Sequence, residues 1–230
     1  MACRAQLTAD GRGELKRMSA LMRAPEECAS WFWDLEDYAP PGLRSALVTA
    51  AHMSAVLLKH DLMKPASLEW YWVVPELGGA IAKTRLRLLW PLDDEQVAQR
   101  VEALRPVGFP QAEFSGFLVT GPGMWLDEHG AQRHENRLVE LTVSSEPLGL
   151  SADVSVFHDI WGPFDFRGTP HPEVHQQNAP RLAVALKELD ALVGVAAEPG
   201  EPTYFGRAEG HGVGTPDAED GRGPDLTDQL

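Results

Sequence analysis

A chain of 230 residues with 43% hydrophobic content suits one globular domain with extensions, large enough to fold without disulfide or metal staples. Thirty-four acids against 20 bases leave a formal charge of −14, which argues against a nucleic-acid binder and against attachment to an anionic membrane. The same charge suits solubility, or the attraction of a basic protein. Two cysteines, Cys3 and Cys28, lack CxxC spacing, so neither a disulfide framework nor a cysteine zinc site is expected.

The N-terminus has no apolar core of the kind a secretion signal needs, and no run approaches a membrane span. A cytoplasmic location is the resulting expectation. Residues 1–12 read as a flexible N-terminus. A first helix is predicted over 13–23, where Leu15, Met18 and Met22 recur at helical spacing. A second is predicted over "APEECASWFWDLEDY", with Pro25 in its first turn and Cys28, Trp31, Phe32 and Leu35 on one face. "APPG" at 39–42 ends it, and a third helix follows from about Leu43 to His60.

The period then changes to two. "LEWYWVV" turns Leu68, Trp70, Trp72 and Val74 inward and Glu69 and Tyr71 outward. "KTRLRLLW" repeats this with Leu86, Leu88 and Trp90 inward. Asp93 or Asp94 caps a helix that buries Val97, Val101 and Leu104. Three further strands are predicted at 113–120, 136–144 and 151–158, with 121–135 a polar loop turning at His129–Gly130. The last helix, "NAPRLAVALKELDALVG", carries Leu182, Leu186, Leu189 and Val193 on one stripe and ends at Gly194.

From Glu198 onward the texture changes to seven Gly, four Pro and eight acids against two Arg. Such a segment is expected to stay disordered, because it has little to bury against its ordering entropy. The fold class is therefore α+β: a mostly antiparallel sheet of about five strands packed with helices. The domain spans 13–196, and 197–230 form an acidic tail.

Motifs give little. "GHGVG" at 210–214 follows no strand and opens no helix, so it is not read as a dinucleotide loop. P-loop and GxSxG signatures are missing, and the acidic tail fails as a calcium loop. The remaining chemistry lies around "VFHDIWGPFDF". Here a strand ends in His158 and Asp159, and His171 and His175 follow at i, i+4 spacing. On a helix the two imidazoles would share one face, as metal ligands do, with His158 or Asp159 as a third. Pro180 argues for a break in that helix. No metal and no cofactor are expected.

Two functions stay open. One is a non-enzymatic, immunity- or antitoxin-like module that masks a basic protein partner, using Asp34, Glu36 and Asp37 beside Trp31 and Trp33. The other is a small enzyme of metal-assisted hydrolase type, with its site near His158, Asp159, His171 and His175. The first is preferred because catalytic motifs are lacking.

Overall fold

The computed structural model describes residues 21–145, 148–216 and 218–230. The flexible N-terminus expected over 1–12 lies outside them. So does nearly all of the helix expected over 13–23, and within it Arg23 forms an antiparallel bridge with His158.

The fold is α+β. A seven-stranded antiparallel sheet, rather than one of about five strands, runs in the order β3-β2-β4-β7-β8-β1-β9. Its strands are β1 (Ala29–Asp34), β2 (Ser67–Val74), β3 (Gly79–Arg87), β4 (Glu113–Thr120), β7 (Val139–Ser145), β8 (Leu150–Val156) and β9 (Glu198–Pro199). Helices α1 (Leu43–Lys59), α2 (Glu95–Ala103) and α3 (Pro172–Val193) complete the core, with α1 against β4 and β7, and α3 against α1. None of the described helices is long and apolar enough to cross a membrane.

Alternation explains the sheet. Trp70, Trp72, Phe117, Val119, Leu141, Val143, Ala152 and Val154 are all buried on the helix side. The opposite face carries polar and charged side chains, with Arg85, Glu69, Leu118, Thr142, Asp153 and Phe32 as cross-strand neighbours in one row. Helix α1 lays Ala46, Leu47, Ala50, Met53, Ser54 and Leu57 on the sheet, and its alanines permit close approach. Asp94 caps α2 by accepting from Gln96 N at 2.8 Å. Gly194 ends α3 at φ +78°.

Several expectations need correction. The segment around Trp31 and Trp33 is strand β1, not a helix. The short run "WFWD" satisfies both periods, and the period of two wins: Trp31, Trp33 and Leu35 are buried while Phe32 and Asp34 face out. Trp90 follows β3 instead of continuing it and is 37% exposed, so it is not an inward core residue. The loop at 121–135 is a hairpin of β5 (Pro122–Leu126) and β6 (Gln132–Asn136). The sequence "QRHEN" of β6 has no apolar alternation to betray it. Gly130 makes the turn at φ +74°, and Asp127 accepts from His129 N and Ala131 N.

Pro180 does not interrupt α3. The helix is held on both sides of it, because Asn178 exchanges hydrogen bonds with both backbone groups of Leu126 while Arg181 donates to Met124 O and His60 O. Tertiary bonds thus offset the local cost of the missing N–H.

Disorder of the C-terminal segment is not confirmed. Residues Glu198 and Pro199 add β9 to the sheet edge beside β1. The short strands β10 (Arg207–Glu209) and β11 (Gly212–Gly214) form a hairpin beside α3. Phe205 is buried edge-on against Phe166, with ring centroids 5.3 Å apart. Gly206, at φ +152°, lies so close to the chain that a Cβ would stand 2.7 Å from Cys28 O. Side chains add to the docking. Thr203 Oγ1 donates to Glu27 O at 2.6 Å, Trp31 Nε1 donates to Gly210 O at 2.7 Å, and His211 Nε2 lies 2.6 Å from Asp190 Oδ2. A low apolar content has been spent on a few anchors, with glycine allowing the backbone to lie flat on the domain.

Candidate functional site

The end of β8 delivers His158 and Asp159 into the interior. His158 is buried where the chain leaves the sheet, and a one-turn helix over Asp159–Trp161 follows. Burial and the nearby Arg23 push the imidazole of His158 down to about 4, against a contact with the Leu138 backbone, so it is neutral near pH 7. Asp159 is moved the other way. Burial raises it to about 7, opposed by a hydrogen bond from Met22 N to Oδ1 at 3.2 Å. Among the described residues, His158 Nδ1 and Asp159 Oδ2 have no hydrogen-bond partner.

Cys28, passed over in the sequence, belongs to the same cluster. Its thiol donates to His158 O at 3.7 Å, and burial pushes its pKa strongly up, so it is a protonated, structural thiol. The group lines a cavity of about 20 Å³, roofed by Phe205, Val213, Pro224 and Leu226. That volume suits about one water molecule.

His171 and His175 are placed differently. His171 stands at the start of α3, and its Nε2 donates to Gly162 O at 2.8 Å. His175 follows one turn later, partly buried. Burial lowers the pKa of both, with His171 adding to the shift of His175. Only His175 lies within the helix: His171 is its N-cap, with a non-helical backbone, and its carbonyl accepts from His175 N at 3.1 Å. No group of three His, Cys, Asp or Glu side chains that could hold a metal ion exists among the described residues. Trp161 is buried in the one-turn helix that packs against α3, and Phe166 is buried edge-on against Phe205.

A second locus lies where β1 ends. Asp34, Glu36 and Asp37 are exposed and line a concavity of about 510 Å³ together with Tyr38, Val193, Gly194 and Val195. Asp34 Oδ1 accepts from Glu36 N at 3.0 Å, which closes the turn that carries the three acids. Helix α3 terminates here with no basic residue in its last turn, so the negative end of its dipole adds to the three charges. Trp31 and Trp33 are not part of this surface. Both are buried, and Trp33 Nε1 donates to Asp190 Oδ1 at 2.9 Å, tying β1 to α3 behind the acidic turn. Their expected role as exposed anchors is therefore corrected to one of support, since the strand period turns both rings into the core.

A further concavity of about 520 Å³ is floored by Leu43, Trp72, Val101 and Phe114. Arg105 lies over the Trp72 ring at 5.7 Å there, beside Glu102 and Glu113.

Comparison with protein-family models, with curated proteins and with solved structures produced no match.

Proposed function

We propose that the protein is a non-enzymatic binding module of immunity or antitoxin type, which engages a basic protein through the concavity at Asp34, Glu36 and Asp37. The observation that carries this reading is one hollow lined by three exposed acidic residues and by the C-terminus of a helix. A lysine or arginine entering it would meet at least three negative charges, with Tyr38 and Val195 beside its aliphatic stem. The overall charge of −14 would steer such a partner from a distance and speed association at low salt.

The enzyme reading has less support. The His158–Asp159 cavity has room for about one water and none for a substrate beside it. The test is affinity capture from the native lysate, comparing wild type with an Asp34→Asn, Glu36→Gln, Asp37→Asn variant at low and high salt. The expected result is one basic protein, retained by wild type at low salt and lost by the variant. The same protein retained equally by both would refute the face.

A further inference from the structure

The concavity of about 520 Å³ over Leu43, Trp72, Val101 and Phe114 shares no lining residue with the acidic hollow, and the proposed function leaves it unused. Its size falls within the range of small-molecule sites, roughly 300–1,000 Å³. The start of α1, β2, the end of α2 and the start of β4 all contribute to it. Two of its lining side chains are aromatic, and neighbouring side chains hold both. Trp72 donates from Nε1 to Thr84 Oγ1 at 3.0 Å and meets Trp70 edge-on at 6.0 Å, while Phe114 stacks on Phe117 at 5.0 Å. Rings held in this way form a preorganised apolar surface, so little ordering entropy opposes a ligand.

Charges of both signs line the same hollow. Arg105 lies over the Trp72 ring at 5.7 Å, and its Nη1 donates to Pro110 O at 2.9 Å. Glu102, in the last turn of α2, and Glu113, at the start of β4, line the concavity with it. Among the described residues Arg105 closes an ion pair with neither acid, because its guanidinium is engaged by a ring and a backbone carbonyl instead. Its other N–H donors stay open to a ligand. Glu102 also faces Arg44, but that guanidinium is already paired with Glu95. All three residues are exposed, so a cation and two acids border an apolar floor without neutralising one another in direct contact.

We infer that this concavity binds a small zwitterion bearing an apolar ring, of the aromatic amino-acid class. Such a molecule carries a carboxylate and an ammonium together at neutral pH. The carboxylate takes the open N–H donors of Arg105, the ammonium takes the oxygens of Glu113 and Glu102, and the ring packs on Trp72 and Phe114. A ligand with a carboxylate alone would be opposed by the two glutamates, and one with an ammonium alone by Arg105. The need for both charges separates this site from a merely apolar hollow. It does not depend on the basic partner proposed for Asp34, Glu36 and Asp37, so the two readings stand or fall separately.

The test is an NMR titration of the full chain at low salt with L-phenylalanine and L-tryptophan, beside the single-charge relatives 3-phenylpropionate and 2-phenylethylamine. Saturable shifts confined to the amides of residues 41–43, 102–105 and 113–114 and to the Trp72 indole N–H are expected for the amino acids. Each single-charge relative should bind roughly tenfold more weakly than L-phenylalanine, the scale of one charged hydrogen bond. Arg105→Gln should weaken the amino acids by a similar factor while sparing 2-phenylethylamine. The Glu102→Gln, Glu113→Gln variant should weaken them while sparing 3-phenylpropionate. The three side chains are exposed, so both variants should keep the wild-type melting temperature. No saturable shift with either amino acid, single-charge relatives bound as tightly as L-phenylalanine, or affinity unchanged in both variants would overturn the assignment.

Discussion

Replacing Asp159 by Asn should make the protein more stable at pH 8 than at pH 5 relative to wild type. Burial raises this carboxyl from 3.8 to about 7, a shift of about three units. At 1.36 kcal/mol per unit, the folded state disfavours the ionised form by at most about 4 kcal/mol. The sign follows from proton counting. Between about pH 4 and 7 the folded chain holds a proton on Asp159 that the unfolded chain has released, so stability falls as pH rises through this window and then levels off. The asparagine is nearly isosteric, can still accept from Met22 N through its oxygen, and does not titrate. Its amide N–H replaces Oδ2, which lacks a partner among the described residues, at a cost of about 1–3 kcal/mol. The variant should therefore be near neutral or destabilised at pH 5 and gain about 2–4 kcal/mol relative to wild type by pH 8. Urea melts of both proteins at several pH values measure this directly, and the groups common to both cancel in the difference. A difference that stays flat from pH 5 to 8 would show that Asp159 is not held as an acid in a dry interior, and the reasoning about this cavity would fail.

The two tryptophans once expected to share a core stripe should now differ. Trp72→Ala should cost about 3–5 kcal/mol in denaturant melts, and Trp90→Ala, at a partly exposed position, under about 1.5 kcal/mol. Phe205→Ala should cost about 3 kcal/mol, and removal of 198–230 should lower the melting temperature markedly; an unchanged melt would mean that the segment does not dock. Cys28 should react with a thiol probe only after denaturation, because it is buried and its thiolate is disfavoured. Rapid labelling of Cys28 under native conditions would contradict that.

The regular elements were the most legible. Strong alternation at 68–74 and 113–120, the Asp94 cap and the Gly194 terminus were readable because local chemistry and tertiary structure agree there. Trp31 and Trp33 misled because six residues cannot separate a period of two from one of 3.6. Strand β6 was hidden because both of its faces are polar and its partner, not its sequence, places it. Pro180 misled because its helix is secured by Asn178 and Arg181, bonds that no local rule anticipates. The C-terminal segment is similar: its composition is that of a disordered chain, and its docking depends on Phe205, Thr203 and His211 finding distant partners.

Of the candidate sites, Asp34, Glu36 and Asp37 were visible as an acidic run, but their second wall at Val193–Val195 is remote in sequence. Likewise, His158 and Asp159 were singled out, whereas Cys28 and the residues that roof them were not. The cations paired with Glu69 and Glu140 come from three separate stretches, and only the outward alternation of Glu69 and Arg85 hinted at them.

The central claim is that the concavity beside α3 receives a cationic side chain. A backbone-amide NMR titration with a short arginine-rich peptide addresses it most directly, run on wild type and on the Asp34→Asn, Glu36→Gln, Asp37→Asn variant. The prediction is a saturable response confined to residues 34–38 and 193–195, weakened by salt and lost in the variant. Shifts scattered over the acidic surface, or equal in the two proteins, would contradict it.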